Sequence, residues 1–326
     1  MKRIKIIGTG SYLPEKIINN FDLEKMVDTS DEWITERTGI KERHIAREDQ
    51  ATSDLAYEAA KRALTMADVK ASDIDTIIVG TSTPDTVYPS TACWLQKALG
   101  VKGSAAFDVS AGCSGFLYAL EIASNLIAQK SAQKVLVVGA EVMSKVVNWE
   151  DRATCVLFGD GAGAAVIVPA EGNSGILASY WGADGNLAPL LYQPAGGTRL
   201  PASEETVRKR LHSVHMEGRE VFKYAVIWMG KAALKVLSEA NLTPEEIALF
   251  IPHQANMRII DATLEKVKIP KEKTYLNLPR CGNMSAATIP VALDEAYREG
   301  RIKDGDYILL SAFGTGFTWA AMVLRW

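Results

Sequence analysis

Several things are scarce in this 326-residue chain, and each scarcity closes off a class of function. There are only four cysteines (Cys93, Cys113, Cys155 and Cys281), and no two of them form a C-x-x-C pair. Zinc ribbons and disulfide frameworks need closer or paired spacing. No His/Asp/Glu cluster has metal-ligand spacing, so no metal is expected. No apolar run approaches the roughly 18 residues that a membrane span requires. The basic N-terminus carries too short an apolar run for a signal-peptide core and reads as a first strand. Lys and Arg total 36 against 39 Asp and Glu. That balance gives no basic excess to bind nucleic acid or an anionic membrane. A reduced, cytoplasmic setting is expected, in which a thiol stays free for chemistry.

What is present is an ordinary globular composition, 48% apolar and 23% charged, on a chain long enough for two domains. Short apolar runs alternate with helical patterns. Strands are predicted at Ile4–Gly8, Thr76–Val79, Ala105–Val109, Val135–Gly139 and Ala164–Val168. A second series follows at Leu249–Pro252, Thr274–Leu278, Tyr307–Ser311 and Ala320–Leu324. Helices are predicted at Ser53–Met66, opening on an N-cap residue, and at Gly115–Gln129, apolar nearly all round. Val221–Ala240 and Met284–Glu299 follow, the last with a kink or restart at Pro290. Such alternation predicts an α/β fold with mixed sheets covered on both faces.

The two series also resemble each other. Leu64-Thr-Met-Ala-Asp-Val aligns with Leu237-Ser-Glu-Ala-Asn-Leu, and each precedes an apolar strand. Val135-Leu-Val-Val-Gly-Ala aligns with Tyr307-Ile-Leu-Leu-Ser-Ala, and Ala164-Ala-Val-Ile-Val with Ala320-Ala-Met-Val-Leu. A duplicated pair of α/β halves is expected, joined near residues 170–175. Residues 183–218 fit neither pattern and read as an insertion over the mouth of the site.

Cys113 stands where a predicted strand ends and a long apolar helix begins, between Gly112 and Gly115. A helix N-terminus favours an anion and would lower a thiol from its ordinary ~8.5, making a nucleophile. A small buried core residue is the competing reading. In the second half, His253 ends a strand and Asn283 lies between strand and helix. A two-fold packing of the halves would bring these strand ends together with Cys113.

At this point a family resemblance is specific. The carrying stretches are Thr29-Ser-Asp-Glu-Trp-Ile with Arg37-Thr-Gly-Ile, Ala111-Gly-Cys-Ser-Gly-Phe, Phe158-Gly-Asp-Gly-Ala-Gly-Ala, His253-Gln-Ala-Asn, Gly282-Asn-Met-Ser-Ala-Ala and Phe313-Gly-Thr-Gly-Phe-Thr-Trp. Over essentially its whole length the chain resembles the β-ketoacyl-[acyl-carrier-protein] synthase III family of the thiolase-like superfamily. The resemblance implies a five-layered αβαβα fold, with halves at 1–172 and 173–326, and a homodimer. It implies an acyltransferase that initiates fatty acid synthesis. Cys113 would take an acyl group from an acyl-CoA, with acetyl-CoA the expected starter, and condense it with malonyl-acyl-carrier protein after loss of CO2. His253 and Asn283 would supply hydrogen bonds to the enolate, and the backbone N–H groups of Cys113 and Thr315 an oxyanion hole. No cofactor is implied, since acyl-CoA and malonyl-carrier protein are substrates.

The same resemblance assigns coenzyme A binding to Trp33, Arg37 and Arg152, and the acyl and malonyl pocket to Tyr88 and Phe313. It assigns carrier-protein docking to Gln254, Ala255, Asn256, Met257, Arg258 and Lys223, with Lys266, Lys268, Lys271 and Lys273 nearby. Two positions depart from the family pattern. Thr315 replaces a glycine, which would be strained if that position needed a positive φ. Tyr88 replaces the usual Phe. Gly159-Asp-Gly-Ala-Gly-Ala superficially matches a dinucleotide loop, but a strand follows it and not a helix, so tight backbone packing is expected. The competing functions are a related CoA-dependent condensing or acyl-transfer enzyme for another metabolite, and a catalytically silent interaction subunit.

Overall fold

The computed structural model describes residues 4–170 and 172–326; the basic start at Met1–Arg3 lies outside the described residues. Five strands form one sheet: β1 (Ile4–Tyr12), β2 (Thr76–Gly80), β3 (Ala105–Val109), β4 (Val135–Val142) and β5 (Asp160–Pro169). Their order is β1-β5-β4-β2-β3. The β2–β3 and β2–β4 pairs are parallel, and β5 runs antiparallel to both β1 and β4. Four strands form the second sheet: β6 (Gly175–Ala183), β7 (Leu249–Pro252), β8 (Tyr307–Gly314) and β9 (Thr318–Arg325). Their order is β7-β8-β9-β6. The pairings repeat: β7–β8 is parallel, and β9 runs antiparallel to β8 and β6. The second sheet therefore carries the pattern of the first, less one edge strand.

That missing strand is the predicted Thr274–Leu278. It makes only a single parallel bridge, Phe250 to Thr274, and its end turns into a short helix at Leu278–Cys281. A side chain has taken over the ladder. Gln254, fully buried, donates from Nε2 to the Tyr275 carbonyl (3.1 Å) and accepts at Oε1 from Leu278 N–H (3.3 Å). Beyond the Tyr275 N–H bond to the Phe250 carbonyl (3.0 Å), Gln254 takes the place of a further strand pair.

Seven helices complete the layers: α1 (Asp31–Thr38), α2 (Thr52–Ala67), α3 (Thr91–Ala98), α4 (Gly115–Ala128), α5 (Gly218–Ala240), α6 (Met257–Val267) and α7 (Thr288–Arg298). Helices α2 and α3 cover the outer face of the first sheet, in a core of Leu55, Ala59, Ala63, Leu95 and β-strand valines. Helices α5 and α6 cover the outer face of the second. Helices α4 and α7 lie between the sheets, where Phe116, Leu120, Ile289 and Leu293 share one core with strands of both. The expected five-layered αβαβα arrangement results.

Local details differ from expectation. Helix α2 starts at Thr52 with Ala51 as its N-cap; Asp54 accepts from Ala51 N–H (2.8 Å), while Ser53 bonds Asp85 (2.6 Å). Pro290 falls in the first turn of α7, where a missing N–H costs nothing, so the helix restarts and does not kink. The glycines of Gly159-Asp-Gly-Ala-Gly-Ala lie within or beside β5. A Cβ on Gly163 would meet the Pro290 carbonyl carbon at 2.6 Å, and one on Gly161 the Met284 sulfur at 2.5 Å. These glycines let α7 and its preceding turn lie directly on the first sheet. Residues 183–218 fold into a cap. It holds a two-residue ladder between Leu191–Tyr192 and His215–Met216 and a short helix at Glu204–Arg208. No helix among the described residues is long and apolar enough to cross a membrane.

Candidate active site

A cavity of about 560 Å³ runs from Arg37 and Arg258 at the surface to Cys113, His253, Asn283 and Phe313 at its floor. Each floor residue follows from the local chain. Gly112 has a φ of +55, and the 3-10 turn Gly112–Ser114 carries Cys113 into α4. Cys113 therefore sits one turn before the α-helix, not at its first residue. Strand β7 ends at Pro252, and His253 N–H then donates to the Ser311 carbonyl (2.8 Å). Asn283 bridges to Phe158 across the halves. It leads into the matching 3-10 turn, Ser285–Ala287, ahead of α7. The two halves thus use the same turn-then-helix device to present different side chains.

The electrostatics correct one expectation. Cys113 is partly exposed, but only to the cavity, and protein encloses the thiol closely. Burial pushes it up to about 12, Ser285 hydrogen bonding opposes this, and the Glu141 charge adds to it. Burial thus favours the thiol over the thiolate expected from helix placement. His253 is 2% exposed and pushed down to about 3 by burial, so its ring is neutral. Its Nδ1 lies 2.7 Å from Thr288 Oγ1, which lies 3.1 Å from the Ser285 carbonyl. The Thr288 hydroxyl has one proton, which the Ser285 carbonyl and Nδ1 compete for; the ring tautomer in which Nδ1 accepts is the one that leaves Nε2 a donor. Asn283 Oδ1 accepts from Ser285 N–H (2.8 Å), which leaves the NH2 end for the cavity.

Thr315 fits its loop without strain. Its φ is not positive; the neighbouring Gly316 takes that role at +135. The loop packs on the nucleophile, since a Cβ on Gly314 would meet Cys113 N at 2.4 Å. The Thr315 hydroxyl donates to the Leu191 carbonyl of the cap. A second cavity of about 260 Å³ lies on this side, lined by Cys113, Thr315, Ser285, Leu191 and Gln193 among others. Phe313 is buried against Phe317, with ring centroids 4.7 Å apart.

At the mouth, Trp33 stands on α1 with Arg37 and Arg152 both over its ring, at 5.1 and 4.8 Å. Asn256 Nδ2 donates to the Arg37 carbonyl (3.0 Å), so the start of α6 is tied to α1. Ala255, Asn256 and Arg258 line the cavity, and Met257 packs over Gly39. Lys223 is exposed and near Glu220 (3.6 Å). Gln254 does not belong with these surface residues: it is fully buried, and its carboxamide holds the Tyr275–Leu278 backbone, so it cannot touch a docking partner. Of the nearby lysines, Lys271 pairs with Asp261 (3.0 Å) and Lys273 donates to the Glu245 carbonyl (2.6 Å). Tyr88 is 85% exposed and does not line either cavity of its own chain.

Three residues that pattern reading missed lie behind the floor: Glu141, Ser285 and Thr288. Glu141 did carry a signal, a single charge near the end of an otherwise apolar strand. Among the described residues, no group of three or more His, Cys, Asp or Glu could hold a metal ion.

Comparison with known proteins bears on the whole chain. Residues 107–185 match the family 3-oxoacyl-[acyl-carrier-protein] synthase III, and residues 237–326 match its C-terminal counterpart. A β-ketoacyl-[acyl-carrier-protein] synthase III of Caldanaerobacter subterraneus is 60% identical over 98% of this chain and 97% of its own. The crystal structure of 3-oxoacyl-[acyl-carrier-protein] synthase III from Aquifex aeolicus superposes with a TM-score of 0.92 at 52% identity. It covers 99% of this chain and 100% of that one. The corresponding synthase from Thermus thermophilus gives 0.91 at 47% identity, covering 98% of each chain.

Proposed function

The chain belongs to the 3-oxoacyl-[acyl-carrier-protein] synthase III family, and from that premise we propose how its own residues perform the condensation that initiates fatty acid synthesis. The observation that carries the reading is the convergence of Cys113, His253 and Asn283 on the floor of one cavity. The Cys113 sulfur attacks the thioester carbon of an acyl-CoA, acetyl-CoA in the simplest case. CoA leaves as its thiol, the Cys113 proton balancing the departing thiolate. The backbone N–H groups of Cys113 and Thr315 stabilise the tetrahedral oxyanion. Among the described residues, the Thr315 N–H makes no backbone hydrogen bond that would compete.

Malonyl-acyl-carrier protein then loses CO2, its enolate carbon attacks the acyl-cysteine carbonyl, and the acyl–sulfur bond breaks to release the 3-ketoacyl-carrier protein and a Cys113 thiolate that takes a proton from solvent. The charge that grows on the malonyl thioester oxygen meets two neutral donors, His253 Nε2–H and the Asn283 NH2. Neutral donors suit a buried floor, where an imidazolium would be costly. Phe313 keeps the floor dry. No step in this sequence calls for a metal or cofactor.

Trp33, Arg37 and Arg152 bind the nucleotide end of CoA by stacking and phosphate pairing. Arg258, Lys223, Ala255, Asn256 and Met257 form the carrier-protein face. A homodimer accounts for the edge of the first sheet: strand β3 is partly exposed and, among the described residues, pairs with β2 alone, and Val87 and Tyr88 stand out at 84% and 85% exposure. Exposed edges of this kind invite pairing. Tyr88 then reaches the partner's acyl pocket. The halves divide at 172/173, between β5 and β6, and the enzyme works in the cytoplasm with its thiols reduced. Incubation with acyl-CoA, followed by mass spectrometry, is expected to add one acyl group at Cys113. Malonyl-carrier protein should then discharge it as a 3-ketoacyl product. No adduct would overturn the mechanism; an adduct without product would favour a condensing enzyme for another metabolite.

A further inference from the structure

Glu141 is a fully buried carboxylate that none of these steps uses. It stands near the end of β4, in the first half, and reaches the turn of the second half that carries Asn283. Its oxygens accept from Thr81 Oγ1 (3.2 Å), Ser82 N (3.1 Å), Thr83 Oγ1 (2.6 Å), Ser285 Oγ (2.8 Å) and Ala286 N (3.4 Å). The directions of these bonds are set by their surroundings. Thr81 Oγ1 already accepts from Thr83 N–H, and Thr83 Oγ1 from Val142 N–H, so both hydroxyls have their protons to give. Burial pushes the Glu141 carboxyl up, and the bonds from Thr83, Ser285, Ser82 and Ala286 oppose this; five donors around two oxygens leave no place for a carboxyl proton, so the geometry favours the anion. A carboxylate so saturated is a poor base. Its use is to hold.

What it holds is Ser285, which has a φ of +46, uncommon for a residue with a side chain. Ser285 touches every part of the floor. Its hydroxyl donates to Glu141, and it lines the same cavity as the Cys113 thiol. Its N–H donates to Asn283 Oδ1, and its carbonyl meets the Thr288 hydroxyl that faces His253. A buried anion is costly, and apolar residues would join two halves more cheaply.

We propose that Glu141 is a positioning residue: through Ser285 it fixes the Asn283 carboxamide and the Cys113 thiol in register across the two halves. The catalytic part of this inference rests on the roles given above to Asn283 and Cys113. Glu141 from β4 acts on the thiol by its charge, neutral His253 after β7 shares its cavity, and Tyr192 of the cap and the arginines Arg37, Arg219 and Arg258 line the same two cavities.

Glu141→Gln keeps the shape and removes the charge. It is expected to lower condensation kcat roughly 10–100-fold while the KM for acyl-CoA stays within about twofold. In substrate-free protein, the pH profile of Cys113 alkylation by iodoacetamide should move roughly one unit lower, because a neighbouring anion is gone. A residue that was only structural glue would not move that profile. Ser285→Ala should give a similar kcat loss, and the double variant should be no slower than the worse single one. Unchanged kcat and an unmoved profile in Glu141→Gln, or additive losses in the double variant, would overturn the proposal. If Glu141→Gln does not fold, Ser285→Ala decides alone: normal condensation sinks the idea. Wild-type protein that takes no acyl group would count against the functional reading, while the alkylation shift, which needs no substrate, still judges Glu141.

Discussion

The two halves share a strand order, a turn and a buried helix, yet they bring different chemistry to the cavity. The first half presents Cys113 from the turn before α4. The second presents Asn283 from the matching turn before α7, and His253 from the end of β7. The backbone geometry matches while the side chains differ: one half carries the group proposed to bond covalently, the other the groups proposed only to donate hydrogen bonds. The sheets differ in a related way. The first keeps its edge strand β3; the second has lost the equivalent strand, and Gln254 caps what remains. An edge is available for association on one side and closed on the other.

Removing the covalent half of the chemistry should have the largest effect. Cys113→Ala is expected to abolish the acyl adduct and lower turnover by at least ~10³-fold, followed by mass spectrometry and product assay. Residual adduct would show that another thiol shares the work. Removing a donor from the second half should separate the steps. Asn283→Ala or His253→Ala should slow malonyl decarboxylation ~10²-fold and acyl transfer much less, as read by single-turnover assays of each step. Equal loss in both steps would dissolve the division of labour.

A pH test addresses the neutrality of the second half's donor. Burial holds His253 at about 3, below its ordinary 6.5, so the unfolded chain takes the proton first. Its stabilising contribution is complete above pH 6.5 and is lost as pH falls towards 3, by ~3 kcal/mol at pH 4.5. Thermal melts of His253→Gln should accordingly be flatter across that window than those of the wild type. Parallel curves would mean that the ring is charged in the folded protein. The smallest effect belongs to the rim. Trp33→Ala should raise the KM for acyl-CoA ~5–10-fold with kcat little changed, by steady-state kinetics.

Much of this was legible in the chain itself, for identifiable reasons. Strands β3 and β7 fall where apolar runs bounded by turn residues place them. The repeat was visible because matching strands need matching apolar runs. Strand β6 was not visible: Gly175–Ala183 mixes Ser, Tyr, Trp and Gly and is only half buried, so its pattern is weak. Thr274–Leu278 misled because its apolar residues do face the core, while after one backbone bond to Phe250 the Gln254 side chain takes over, which periodicity does not register. The Cys113 thiol misled for a different reason. Helix placement is local, but burial and the charge on Glu141 come from residues distant in sequence.

The glycines that let the central helices lie flat on the sheets bear on what a half is. A Cβ on Gly139 would strike the Ala286 carbonyl oxygen at 2.3 Å, and one on Gly80 the Gly115 carbonyl carbon at 2.5 Å. The middle core draws Phe116 and Leu120 from one half and Ile289 and Leu293 from the other. Kinship between the halves is therefore not independence. Each repeats the other's strand order yet completes its interior with the other's side chains. Severed at residue 172, either piece would expose the apolar helix face that the other was shaped to cover.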